Sequence, residues 1–249
     1  MGLLEGDTAL ITGAASGIGR GIAKALAAEG ARLALSDIAE EPGRALAREL
    51  NAAFVLADLA DPSQARLLFD AAVNALESVS IFVHCASPRR RESETALAVT
   101  GAEWDAMLTV GLRSGFMLGQ AAGRHMKELK IKGRMLFITS LHAYAPRNLP
   151  HYSATKAGQT MVVKELARAL GPYGIRVNAI APGAIPGGGF DADTTALEKM
   201  IPMGRTGTPE DVAGMAIALL CDRFSGYVTG TTVAVDGGIA LYNWIPASA

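Results

Sequence analysis

Several features are scarce in this chain, and each scarcity excludes something. Two cysteines, Cys85 and Cys221, occur in 249 residues, which is no basis for a disulfide framework and gives no metal-binding spacing. The formal net charge is −1, and the longest basic run is Arg89-Arg90-Arg91, so nucleic acid is not an expected partner. No apolar stretch reaches the roughly 18 residues needed to cross a membrane. The opening MGLLEGD lacks a basic region followed by an apolar one, so no signal peptide is expected. There is no internal repeat, low-complexity segment or linker. Aromatic residues make up only 6% of a chain that is 50% apolar and holds 28 glycines, which suits a tightly layered α/β protein. The length allows one large domain over 1–249, expected in the cytoplasm.

What is present alternates. β-type apolar runs lie at 8–12, 32–36, 53–56, 80–85, 134–139, 176–180 and 232–235. Helical segments lie between them, at 17–29, 41–50, 62–78, 103–130, 152–170 and 209–221. This alternation predicts right-handed βαβ units and a parallel sheet covered on both faces. The Gly/Pro-rich stretch 182–189 reads as a loop beyond a strand's carboxyl end, where such sheets bind ligands.

The stretch from Ser140 to Lys156 carries the chemistry. Tyr152 and Lys156 are spaced i and i+4, which places them side by side on one helix face. A free tyrosine loses its proton near pH 10. An ammonium about 4 Å away favours the phenolate by roughly 1 to 4 kcal/mol, which brings a tyrosine into range for general acid–base work. Ser140 follows the apolar run MLFIT, and a hydroxyl at a strand end can hold a substrate oxygen against the tyrosine. Alone, a Tyr-x-x-x-Lys pair also fits an ordinary surface helix.

The first strand runs into Thr12-Gly13-Ala14-Ala15-Ser16-Gly17-Ile18-Gly19. Gly13, Gly17 and Gly19 permit a tight turn, close backbone approach to a pyrophosphate and close helix packing, with the helix N-terminus favouring the phosphate charge. Ser16 and Ile18 lie in the same turn. Asp37 ends the second strand. Its carboxylate suits adenosine ribose hydroxyls and repels a 2′-phosphate, and neither Ser16 nor Ile38 supplies a cation. NAD is therefore expected over NADP, with a helix N-cap as the competing role for Asp37. Asp58-Leu59 either holds the adenine edge or starts the helix near Pro62.

Taken together, TGAASGIG at 12–19, Asp58, Ser140, YSATK at 152–156, RVNAIAPG at 176–183 and VTGTTVAVDGG at 228–238 resemble the classical short-chain dehydrogenase/reductase family over essentially the whole chain. The resemblance implies a Rossmann-type doubly wound fold with seven parallel strands and nicotinamide-dependent alcohol–carbonyl chemistry. It implies that Tyr152 is the acid–base, Lys156 holds the nicotinamide ribose, and Ser140 orients the substrate oxygen. It implies a small residue, Ala86, beside the cofactor, and a backbone contact to the carboxamide from Pro182, Gly183 and Ile185. Three positions depart from the family. His84-Cys85-Ala86-Ser87 stands where the family has Asn-Ala-Gly at its end. Gly111 occupies the position of an asparagine that organises a proton-relay water. Gly187 occupies that of a threonine near the nicotinamide.

Ser140-Leu141-His142, His151-Tyr152, PGAI at 182–185, MIPMG at 200–204 and GGIALY at 237–242 are similar to the glucose 1-dehydrogenases and related sugar dehydrogenases. A sugar or polyol is the expected substrate, anionic ones included, with a substrate loop at about 184–205. Ser87, Arg89, His142 and Gly187 are the candidate substrate contacts. His142 also fits a structural histidine satisfied by backbone, and Arg89, Arg90 and Arg91 fit solvated surface arginines, with an anionic substrate group as the alternative. Cys85 reads as a small buried apolar side chain. The alternatives in function are a 3-oxoacyl-thioester, hydroxy-acid or steroid carbonyl reductase and, from another class, a weakly catalytic dinucleotide-binding scaffold. The resemblance implies a homotetramer, and the apolar tail from Tyr242 to Pro246 is expected to pack near a neighbour's pocket.

Overall fold

Strand β1 (Thr8–Thr12) is buried at every position, because its neighbours cover both edges and helices cover both faces. It pairs in parallel with β2 (Arg32–Asp37) on one side and β4 (Ile81–His84) on the other. With β3 (Ala53–Leu56), β5 (Arg134–Ile138), β6 (Arg176–Pro182) and β7 (Thr232–Val235), the seven-stranded order is β3-β2-β1-β4-β5-β6-β7, parallel throughout. The order reverses between β1 and β4, and ligands of open α/β sheets bind outside the strand ends at such a point. The structure is a computed structural model and describes residues 2–187 and 194–241. The tail from Tyr242 to Pro246 and part of the 184–205 loop lie outside the described residues.

Alternate strand residues feed two cores, as the two-residue strand period requires. Ala9, Ile11, Leu33, Leu35, Val83 and Ile138 face α1 (Gly17–Ala28), α2 (Glu40–Glu49) and α8 (Pro209–Leu220). Leu10, Ala34, Phe82, Met135, Phe137 and Val177 face α3 (Gln64–Leu76), α5 (Ser114–Glu128) and α6 (Pro150–Leu170). Phe82 and Phe137 are fully buried and meet edge to face with centroids 5.9 Å apart. Truncating such a side chain to alanine typically costs 3–5 kcal/mol, so this layer anchors the strand ends that carry the site.

The helix expected over 103–130 is in fact broken. α4 (Gly101–Met107) starts with a capping box between Thr100 and Glu103, then Leu108–Arg113 takes a π-helical turn before α5. The turn contains Gly111 and packs on α6. Periodicity cannot reveal a single π turn, and such turns collect at functional sites. α6 begins at Pro150, two residues before Tyr152, since proline suits the first helical position. Two helices of one turn, α7 (Thr195–Glu198) and α9 (Asp222–Ser225), are too short to give an amphipathic pattern.

Candidate active site

A cavity of about 980 Å³ runs along the carboxyl ends of the strands. Its walls hold Gly13, Ser16, Gly17, Ile18 and Gly19 at one end and Ser140, Tyr152 and Lys156 at the other. Every other candidate named from the sequence also lines it: Asp37, Asp58, Leu59, Ala86, Ser87, Arg89, His142, Pro182, Gly183, Ile185 and Gly187. The part of the substrate loop that is described contributes Ala184, Pro186, Leu197 and Met200 as well.

The dinucleotide end is built from backbone. Gly13 has φ +64°, and a Cβ there would sit 2.7 Å from the Ala86 nitrogen. Any other residue would therefore both strain the turn and push β1 from β4. Ser16 is the N-cap of α1 in extended conformation, with no side-chain cap bond and no acidic residue in the first turn. The helix N-terminus is thus left to an external anion. Asp37 accepts from the Ala15 amide through Oδ2 and from the Ala39 amide through Oδ1, both at 2.9 Å. It is a brace between the glycine turn and the end of β2, not the N-cap of α2, which is Ala39. Two carboxylate oxygens offer about four lone-pair sites, so acceptor capacity remains for hydroxyl groups. Asp58 accepts from the Ala60 amide at 2.9 Å in a local turn and does not cap α3, whose N-cap is Ser63. Among the described residues lining this end, none is a lysine or arginine. The glycine cradle, the uncapped helix and a carboxylate without a cation fit a nicotinamide dinucleotide.

At the other end, Ser140 is 6% exposed, and its Oγ accepts from the His142 amide at 3.2 Å as the cap of a short 3-10 turn, Leu141–Ala143. Lys156 is 3% exposed and donates to the Ile138 carbonyl at 2.8 Å, which leaves two of its three N–H donors for a ligand. Burial pushes the Lys156 pKa down, while Tyr152 and Cys85 oppose the shift and Arg90 adds to it. The Lys156 ammonium lies 5.5 Å from the centroid of the Tyr152 ring. The His142 ring stands at 78° to the same ring with centroids 5.4 Å apart, and the Arg90 guanidinium lies over it at 4.4 Å from the centroid. Burial, against the opposing Lys156 charge, pushes the Cys85 thiol up to about 12, which favours its protonated form.

Gly111 explains its own departure from the family. A Cβ there would lie 2.5 Å from the Thr155 methyl group, so that methyl fills the space an asparagine side chain would start from. The Gly111 carbonyl accepts from His84 Nε2 and from Gln159 Nε2, each at 2.9 Å. Since a carbonyl can only accept, His84 carries its proton on Nε2, and Nδ1 accepts from the Thr12 hydroxyl at 3.0 Å. Burial, with the Lys156 charge adding to it, pushes His84 down to about 4 and keeps it neutral. Gly187 has φ +95°, a conformation a threonine would avoid.

Sequence reasoning missed Arg147, His84 and Gln159 in this region, and it placed Arg90 with the surface arginines. Arg89 and Arg91 are exposed, as that reading holds, but Arg90 is half-buried on the ring of Tyr152. His142 is buried, and its Nδ1 has no hydrogen-bond partner among the described residues. An i, i+4 pattern can find Tyr152 and Lys156, but contacts between residues far apart in the chain leave no local signal.

Comparisons agree with this geometry. A family model described as Enoyl-(Acyl carrier protein) reductase matches residues 13–240. The chain is 37% identical over 260 residues to the 3beta-hydroxysteroid dehydrogenase 1 of Eggerthella lenta, covering 96% of this chain and 95% of that protein. It is 37% identical over 264 residues to the L-rhamnose 1-dehydrogenase (NAD(P)(+)) of Azotobacter vinelandii, covering 95% and 98%. A 3-ketoacyl-(acyl-carrier-protein) reductase from Brucella melitensis, solved in complex with NADH, superposes with a TM-score of 0.88 at 33% identity over 95% of this chain and 99% of that one. With its parallel seven-stranded sheet and its likeness to named dehydrogenases and reductases, this chain belongs to the classical short-chain dehydrogenase/reductase family and is an oxidoreductase acting on CH–OH groups.

Proposed function

We propose that this oxidoreductase prefers NAD and interconverts a secondary alcohol of sugar or polyol size with its carbonyl, using Ser140, Tyr152 and Lys156. One observation carries the reading: β5, the 3-10 turn after it and α6 bring those three side chains to the same cavity as the glycine turn and Asp37. Likeness to the rhamnose dehydrogenase supports the sugar class. When bound, the nicotinamide accepts or returns the hydride.

The chain's own groups do the rest. Ser140 orients the substrate oxygen. Tyr152 takes the hydroxyl proton in oxidation and returns it in reduction. Lys156, anchored on the Ile138 carbonyl, keeps two N–H groups for the cofactor ribose and sets the positive field beside the phenol. Pro182, Gly183 and Ile185 contribute backbone at the end of β6 for the carboxamide. Asp37 accepts ribose hydroxyls and disfavours a 2′-phosphate. With both Gly111 lone-pair directions engaged by His84 and Gln159, proton delivery runs from the solvent side of the cavity instead of through that carbonyl.

We further propose one domain over the chain and assembly as a homotetramer in the cytoplasm. The two cysteines are unpaired thiols, as suits a reducing compartment. An apolar face formed by Leu108, Leu112, Phe116, Met161 and Val162 supports the assembly, with Phe116 and Met161 exposed.

The test is a panel of sugars, polyols, hydroxy acids and hydroxysteroids with NAD and with NADP, read by the absorbance of the reduced cofactor. A sugar or polyol oxidised with higher kcat/KM for NAD is the expected result. A preference for steroids or acyl thioesters, or for NADP, would overturn the substrate or the cofactor assignment respectively.

A further inference from the structure

Among the described residues, the substrate end of the cavity holds cations and no carboxylate of its own. Among the described lining residues, Lys156, Arg89, Arg90 and Arg147 stand there, while Asp37 and Asp58 belong to the glycine-turn end. Arg147 has a partner, Glu92, at 3.5 Å, and both are exposed. Among the described residues Arg90 has no ion-pair partner, and its Nε is buried without a hydrogen bond. Next to it His142, 7% exposed, has a buried Nδ1 in the same condition. Both residues pack against the Tyr152 ring, the guanidinium over it and the imidazole nearly perpendicular to it. A buried polar atom left without a hydrogen bond is costly, and more so in a charged group. Two such atoms on residues packed against the Tyr152 ring, in the wall of the cavity, mark a place that a ligand can complete.

The pair also has a defined chemistry. A guanidinium is a fork of N–H donors matched to oxyanions. Burial first, then the charges of Arg90 and Arg147, push His142 down to about 4, so at neutral pH it is an uncharged imidazole with one N–H to donate. Arg90 works against protonation of both Lys156 and His142, and a negative group between them would offset that repulsion.

We infer that Arg90 and His142 form an oxyanion subsite, and that the substrate is a hydroxy compound carrying a carboxylate, sulfonate or phosphate within a few bonds of the carbon that is oxidised. This deepens the proposed sugar or polyol reading and rests on it for the position of the reacting carbon. It makes Arg90 and His142 determinants of specificity that hold the substrate's far end.

Two arms test the inference. In the first, the protein with saturating NAD is titrated with malonate, isethionate and inorganic phosphate, against chloride at matched ionic strength, and thermal stability is followed. At least one probe stabilises the complex more than chloride does, and its apparent Kd weakens about tenfold or more in Arg90→Gln and in His142→Phe. The probe that binds tells carboxylate from sulfonate from phosphate. In the second, kcat/KM is compared for paired alcohols, glucuronate with glucose and glycerate with glycerol. The anionic member is favoured about tenfold or more, and Arg90→Gln brings the ratio towards one while KM for NAD stays constant. Turnover of neutral sugars with no anionic preference and no probe binding would overturn the subsite and leave the dehydrogenase reading standing. Probe binding that depends on Arg90, without turnover of any sugar or polyol, would support the subsite and overturn the sugar class.

Discussion

The two ends of the cavity are built in opposite ways. At the dinucleotide end the carboxylates are braced by the chain's own backbone: Asp37 accepts from two amides and Asp58 closes its own turn. At the substrate end, Arg90 Nε and His142 Nδ1 are buried and have no hydrogen-bond partner among the described residues. A cofactor shared by many enzymes can be met by a rigid backbone cradle, whose geometry survives without the ligand. Specificity for one substrate is better served by side chains whose hydrogen bonds are left for that substrate to complete. The contrast predicts that damage to the first end acts through structure and cofactor affinity, whereas damage to the second acts through turnover and substrate choice.

The largest expected effects, those at Tyr152 and Ser140, fall at the substrate end. Removing the Ser140 hydroxyl in Ser140→Ala takes away a donor to the developing oxyanion and should lower kcat by about 10² to 10³. NAD affinity measured by fluorescence titration should stay near the parent value, and an equal loss in both quantities would erase the division between the ends. Next comes Asp37→Ala, which should lower the ratio of kcat/KM for NAD over NADP by about 10- to 100-fold, the range for hydrogen bonds to a charged acceptor. It should also lower the urea midpoint, because the Ala15 and Ala39 amides lose their partners. An unchanged cofactor preference would remove Asp37 from the assignment.

Gly111→Asn asks whether the family's asparagine can simply be restored. The Thr155 methyl stands 2.5 Å from where its Cβ would go, so the variant should lose about 1–3 kcal/mol of stability. Adding Thr155→Ser, which removes that methyl, should recover most of the loss, and full stability in the single variant would show that the π turn yields easily.

The smallest effect is on pH. The folded value for His84, about 4, lies below the 6.5 of the unfolded chain, so the unfolded state takes up its proton first as pH falls. Stability contributed by neutral His84 is therefore complete above about pH 6.5 and is lost towards pH 4, with a slope near 1.4 kcal/mol per pH unit. His142 shifts in the same direction. Urea unfolding of the parent and of His84→Gln between those values should show the slope falling by about one proton, and parallel curves would mean that His84 is protonated in the fold.

The difference between the ends also decides what a sequence can reveal. The seven strands were legible because buried parallel strands are short apolar runs, and β1, β3 and β7 have the very bounds the sequence predicts. Gly13, Gly17 and Gly19, with Asp37 beyond them, were legible because one βαβ unit carries them. Tyr152 and Lys156 were legible because a helix brings neighbours at i+4 together. The π turn at Gly111 was hidden, since it changes hydrogen bonding without changing composition. Arg90 was hidden for another reason: its place depends on Tyr152, far along the chain, so its own neighbours Arg89 and Arg91 make it look like solvated surface.

The central claim is that Tyr152 moves the proton while the rest of the site only positions. Replacing it with phenylalanine keeps the ring that Arg90 and His142 pack against and removes the hydroxyl alone. With the best alcohol from the panel and saturating NAD, kcat of Tyr152→Phe should fall by about 10² to 10⁴ while the NAD dissociation constant stays near that of the parent. Turnover near the parent rate would contradict the account and assign the proton to another group.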